Sequence, residues 1–89
     1  MAELTVDIVA ADRHVWSGEA RSVVAPAHDG EVGILAGHTP LLALLKDGTV
    51  RVTPASGAPV SIAVTGGFVS VDSDRVTVVA DAAEQPVAG

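Results

Sequence analysis

Apolar and polar residues alternate along most of the chain. Leu4, Val6 and Ile8 oppose Glu3, Thr5 and Asp7, and Val50 and Val52 oppose Thr49, Arg51 and Thr53. Val60, Ile62 and Val64 oppose Ser61, Ala63 and Thr65, while Val76, Val78 and Ala80 oppose Thr77 and Asp81. A period of two predicts strands with one buried face and one wet face, as in antiparallel sheets packed against each other. Between these runs stand Asp29-Gly30, Asp47-Gly48, Ser56-Gly57 and Asp72-Ser73-Asp74. Such residues tolerate positive φ or bond their own backbone, so each pair or triplet predicts a turn. Short strands punctuated this often make a sandwich or a barrel. The expected core is Val6, Ile8, Trp16, Val52, Ile62, Val64, Val69 and Val78.

Two stretches break the pattern. Leu41–Leu45 is apolar without alternation, and with Pro40 before it and Gly48 after it there is little room for a helix. It reads as a buried strand. From Asp81 to Gly89 the alternation stops, which predicts a frayed end or the start of a linker. The domain is therefore placed at residues 1–81 and the tail at 82–89.

Composition sharpens the class. The 89 residues allow one domain, and 48% of them are hydrophobic, too many for disorder. Valine and alanine dominate while aromatics are few, a balance that suits a pleated surface. The reading is all-β. Eleven acids against five bases give a net charge of −6. Arg13, Arg21, Lys46, Arg51 and Arg75 are scattered, so the clustered cations that nucleic acid demands are missing. With no cysteine in the sequence, disulfides and thiolate chemistry are excluded. The acidic start does not resemble a signal peptide, and the longest apolar run is far below the ~20 residues of a membrane helix.

Candidate chemistry is sparse. His14 and His28 read as exposed turn residues, and His38, in Gly37-His38-Thr39-Pro40, as a structural or interface histidine. None has partners at metal-ligand spacing. No serine sits in a nucleophile elbow. Asp72-Ser73-Asp74 lacks the further oxygens of a calcium loop, and Gly66-Gly67 lacks the following base or helix of a phosphate cradle. Close backbone approach, or a bulge, is enough to explain the two glycines there. The expectation is no catalytic residue, no metal and no cofactor.

The stretch GEVGILAGHTPLLALL, Gly30–Leu45, closely resembles the signature of ATP synthase epsilon subunits, called delta in mitochondria. That family carries G-E-hydrophobic-G-hydrophobic, then G-H and a small residue, then P-L-L. The resemblance continues through LTVDIVAADRHVWSGEA at Leu4–Ala20, DGTVRV at Asp47–Val52, GGFVSV at Gly66–Val71 and RVTVVAD at Arg75–Asp81. It implies a flattened antiparallel β-sandwich of about ten short strands and a non-catalytic role in the rotor stalk, coupling c-ring rotation to gamma. By position, Asp29, Gly30 and Glu31 match the family's c-ring contact. Ala10, His38 and Ala43 match its gamma-facing side. A peripheral location on the cytoplasmic face of a bacterial plasma membrane is implied. The family's two-helix C-terminal hairpin has no counterpart before Gly89, so its restraint of hydrolysis and its ATP binding are not expected. Two competing readings are a free β-sandwich module that binds a small ligand, and a small hydrolase pairing His38 with Asp29 or Glu31.

Overall fold

The computed structural model describes residues 3–89, which form ten strands and no helix. They are β1 (Leu4–Ala10), β2 (Arg13–Ala27), β3 (Gly30–Leu35), β4 (Leu41–Leu44) and β5 (Gly48–Pro54). The rest are β6 (Val60–Thr65), β7 (Phe68–Asp72), β8 (Arg75–Ala80), β9 (Ala82–Ala83) and β10 (Val87–Ala88). Each predicted turn falls at a strand junction, although Gly30, Gly48 and Asp72 are themselves strand ends.

The 15-residue β2 organises the sandwich. Its first half pairs with β1 and its second half with β3 and β5. The hydrogen-bonded sheet therefore doubles over at β2. One layer runs β2-β1-β8-β7-β4, and the other runs β3-β2-β5-β6 with β9 and β10 on β6. A register shift between Ala20 and Ser22 marks the crossing, with Arg21 as the extra residue. The inward set thereby changes phase, from Ala20 to Val23, Ala25 and Ala27. A bulge lets one strand serve two layers and keep its apolar side inside both. The β1–β8 ladder is parallel, whereas the other ladders among the described residues are antiparallel. β1 and β8 are distant in sequence, which leaves chain enough for the crossover that parallel neighbours need.

The core lies between the layers and is built from small and branched residues: Leu4, Val6, Ile8, Val23, Ile34, Val50, Val52, Ile62, Val69, Val71, Val76 and Val78 are fully buried. Val64 joins them almost as completely. Trp16 does not; it is half-buried and packs on the margin of the core. The reason is local. Residues 13–19 of β2 pair only with β1, because the β5 ladder begins at Ala20, so the ring has neighbours on one flank alone. At Gly67 (φ +104°) a Cβ would stand 1.9 Å from the Val79 carbonyl oxygen, the close approach expected of that glycine pair.

Two further expectations are corrected. The segment after Asp81 is not frayed. Ala82 and Ala83 pair with Thr65 and Val64, and Val87 and Ala88 pair with Ser61 and Val60. The Arg13 guanidinium also donates to the Ala83 carbonyl. The segment is held because β6 otherwise presents an edge of unpaired backbone groups. Leu41–Leu44 is a strand, yet not a buried one: Leu42 and Leu44 face outward. No further layer of the described residues lies over the outer face of its sheet.

Candidate functional site

His28 and Asp29 close the β2–β3 hairpin, one residue earlier than the expected Asp29-Gly30 turn, with Ala27 paired to Gly30 and Pro26 to Glu31. Inward positions on β3 are Val32 and Ile34, so Glu31 falls on the outward phase beside the turn. Asp29 and Glu31 are both exposed, and both carboxylates stand at one end of the sandwich. The neighbouring Lys46-Asp47 turn is fixed at the same end, since the Lys46 N–H donates to the Pro26 carbonyl at 2.9 Å. A tight hairpin places acids here because the inward residues on either side are fixed by the core.

His38 lies at the opposite end. β3 carries the chain away from Gly30 to Leu35, roughly 17 Å at the usual strand rise. There the chain turns, and the His38 N–H donates to the Leu35 carbonyl at 3.1 Å. The imidazole is half-exposed, with Nδ1 at 2.6 Å from the Thr39 carbonyl, which requires a proton on Nδ1. The Gly37 N–H donates to an Asp74 carboxylate oxygen at 2.7 Å. A hydrolase pairing of His38 with Asp29 or Glu31 is not assembled, because the length of β3 separates them.

Ala10 and Ala43 lie on the layer between these ends. Ala43 pairs with Val69, and Val69 with Val78, both core residues, so Ala43 shares the inward face of an edge strand. Ala10, at the end of β1, is paired with Ala80 and only 8% exposed. The residues beside them in sequence point outward. Leu44 pairs with Phe68, Phe68 with Val79, and Val79 with Val9. Cross-strand partners share a face, so these four side chains form one apolar row across β4, β7, β8 and β1. Leu42 extends it along β4. Leu42 is 73% exposed, Leu44 65% and Phe68 38%. Toward the far end the same face becomes polar, with Arg75 and Asp7 paired at 3.6 Å.

The sequence reading missed Leu42, Leu44, Phe68, Val9 and Val79 as surface residues. One signal pointed to them: Leu41–Leu45 lacks alternation, and an edge strand that is apolar on both sides needs a second cover. Burial within the chain and burial under a partner leave the same pattern in sequence.

Depressions in the surface are shallow. One of about 370 Å³ is lined by Leu42, Ala43, Leu44 and Phe68, with almost no polar group to orient a ligand. Among the described residues no group of three His, Cys, Asp or Glu side chains could hold a metal ion.

Residues 3–86 match the family model described as the ATP synthase delta/epsilon chain, β-sandwich domain. An ATP synthase epsilon chain of Micrococcus luteus is 52% identical over 83 residues, covering 93% of this chain and 91% of that one. One from Streptomyces griseus is 48% identical over 83 residues, covering 93% of this chain and 67% of its own length. Among solved structures, a chain in the mitochondrial ATP synthase of Euglena gracilis, an assembly described as OSCP/F1/c-ring, superposes with a TM-score of 0.88 at 23% identity. That match takes in 97% of this chain and 54% of the Euglena chain, so this chain spans about half its length. A chain of the Tetrahymena thermophila central stalk/c-ring assembly superposes with a TM-score of 0.79 at 13% identity, over 92% of this chain and 66% of that one. The two structural matches support the fold.

Proposed function

This chain belongs to the ATP synthase delta/epsilon family through its β-sandwich domain, and we propose that it is a non-catalytic central-stalk subunit carrying rotation between the membrane c-ring and gamma. The observation that carries the reading is the outward row Leu44, Phe68, Val79 and Val9, extended by Leu42. Leu35 and Val87 are also exposed, but apart from one another, whereas here large apolar side chains stand together in water. A contiguous exposed patch marks a surface covered by another protein. The depression along the row has almost no polar group, whereas small-molecule sites need convergent polar groups to orient a ligand, so the free ligand module is the weaker reading.

Gamma is assigned to this face, with His38 at its far end. Ala43 lies on the same strand and Ala10 beside Val9; both face the core, so their link to the partner runs through their outward neighbours Leu42, Leu44 and Val9. The c-ring is assigned to the end bearing Asp29, Gly30 and Glu31. Two exposed carboxylates beside a rigid hairpin turn suit a basic loop, and such rim charges set encounter and orientation. Among the described residues no helix is long and apolar enough to cross a membrane. The location follows from the assembly: peripheral, on the cytoplasmic face of a bacterial plasma membrane.

The test is assembly with gamma and c-ring from the same organism. The unaltered chain is expected to be retained by gamma, with retention lost in the Leu42→Asp, Leu44→Asp variant. The Asp29→Lys, Glu31→Lys variant is expected to keep gamma and lose the c-ring. An unaltered chain that neither gamma nor the gamma–c-ring assembly retains would sink the reading.

A further inference from the structure

The β7–β8 turn is built from Ser73 and Asp74, both at positive φ, 51° and 62°. A two-residue hairpin with both central residues in this region is most readily formed by Asn-Gly or Gly-Gly. Aspartate can adopt the conformation, but glycine does so without steric cost. Asp74 makes two contacts beyond the turn. Its carbonyl accepts from the Thr5 N–H at 2.8 Å, tying the turn to the start of β1. Its carboxylate accepts from the Gly37 N–H at 2.7 Å, across 37 positions of sequence. The first contact needs only a backbone. The second needs this side chain.

Gly37 is itself a turn residue. The bond from the His38 N–H to the Leu35 carbonyl closes a four-residue turn around Ala36 and Gly37, with Gly37 at φ +86°. That φ at the third position is the type II form. Types I and II differ by a flip of the central peptide, here Ala36–Gly37. A flip would swing the Gly37 N–H away from Asp74 and redirect the chain entering His38.

We propose that Asp74 is a positioning residue for the His38 loop: its carboxylate holds the Ala36–Gly37 peptide in one orientation and so presents His38 and Thr39 in a fixed pose to the docking partner. The clause about the partner rests on the gamma assignment above. The anchoring itself does not. A loop held in its bound geometry before contact avoids an ordering cost on association.

Two substitutions isolate the carboxylate. Asp74→Gly removes it while leaving the turn at least as easy to form, and Asp74→Asn keeps an acceptor oxygen on a residue that tolerates positive φ. Amide exchange at Gly37 is read by NMR, alongside the denaturant midpoint and affinity for gamma, with His38→Ala as the reference. In Asp74→Gly, Gly37 exchange should rise roughly tenfold or more, the scale of one charge-assisted hydrogen bond. The midpoint should hold, and gamma affinity should fall toward that of His38→Ala. Asp74→Asn should stay within about threefold of the unaltered chain in exchange and affinity. Unchanged Gly37 exchange in Asp74→Gly overturns the proposal. Faster exchange with full gamma affinity, where His38→Ala still weakens binding, overturns the presenting role. Faster exchange with affinity untouched by either variant supports the anchoring and overturns the gamma assignment of the loop.

Discussion

β6 and β4 lie toward opposite ends of the path of hydrogen-bonded strands, and they are finished differently. In β6, Val60, Ile62 and Val64 alternate with Ser61, Ala63 and Thr65, and the free edge is covered by β9 and β10 from the same chain. β4 carries apolar residues on both faces. Among the described residues its outer edge is met only at its end, where Leu44 accepts from the His28 N–H at 3.0 Å and Leu45 bridges to Ala27. Completion within the chain goes with ordinary amphipathic alternation. Under the proposed assembly, the second apolar face of β4 is the part left for a partner to cover. One strand then stabilises the monomer, and the other would serve the complex.

The sharpest test of that contrast is a matched pair of truncations. Ile62→Ala in β6 should cost about 2–5 kcal/mol through lost transfer energy and a cavity. Leu44→Ala in β4 should cost within about 0.5 kcal/mol, as surface changes usually do. Denaturant unfolding of the two variants reads the difference, and equal losses would show that β4 belongs to the core.

The binding counterpart comes next in size. The Leu42→Asp, Leu44→Asp variant should lose roughly 2–4 kcal/mol of affinity for gamma, the range of hot-spot residues, with its unfolding midpoint preserved. Calorimetric titration reads the first quantity. Undiminished affinity would move the gamma face off this row.

Removing residues 82–89 should expose the β6 edge. The tail contributes short ladders, the Arg13 contact and bonds from Glu84 to Ala63 and Gly89 to Pro59, all near the surface. Set against the cost of ordering the tail residues, exposed bonds of this kind leave about 1–2 kcal/mol net. The more specific outcome is concentration-dependent association through the uncovered edge, read by sedimentation. A shortened chain that stays monomeric and equally stable would show that β6 needs no cover.

The smallest effect on stability is expected at the acidic end. Asp29→Lys, Glu31→Lys should move the unfolding free energy by no more than about 0.5 kcal/mol. The association rate with the gamma–c-ring assembly should fall and lose its dependence on ionic strength. A rate unchanged at low salt would remove these carboxylates from the docking surface.

Much of the fold was legible because its signals are local. The alternation of Val50–Val52, Val60–Val64 and Val76–Ala80 sets strand and face together, Asp72-Ser73-Asp74 marks a turn where the structure has it, and Asp29-Gly30 marks one to within a residue. Val6, Ile8, Val52, Ile62, Val64, Val69 and Val78 were legible as core for the same reason. Trp16 was not, because its exposure depends on where the β5 ladder starts on β2. The placement of Asp29 and Glu31 at an exposed hairpin followed from the turn signal. The outward row did not, since Leu42, Leu44, Phe68, Val79 and Val9 come from four strands joined only by register.

The sequence by itself determined that this chain makes short strands, which residues face inward along most of them, and where it turns. Those properties depend on neighbours one to four residues apart, where steric preference and period-two burial act. Tertiary structure alone decided that β2 serves both layers through the bulge at Arg21, that residues 82–88 seal β6, and that Asp74 reaches Gly37. It also decided that an apolar run at Leu41–Leu44 ends in water. Each of these turns on which strand lies beside which, and such pairings are fixed by the closing of one shared core, not by any segment within it.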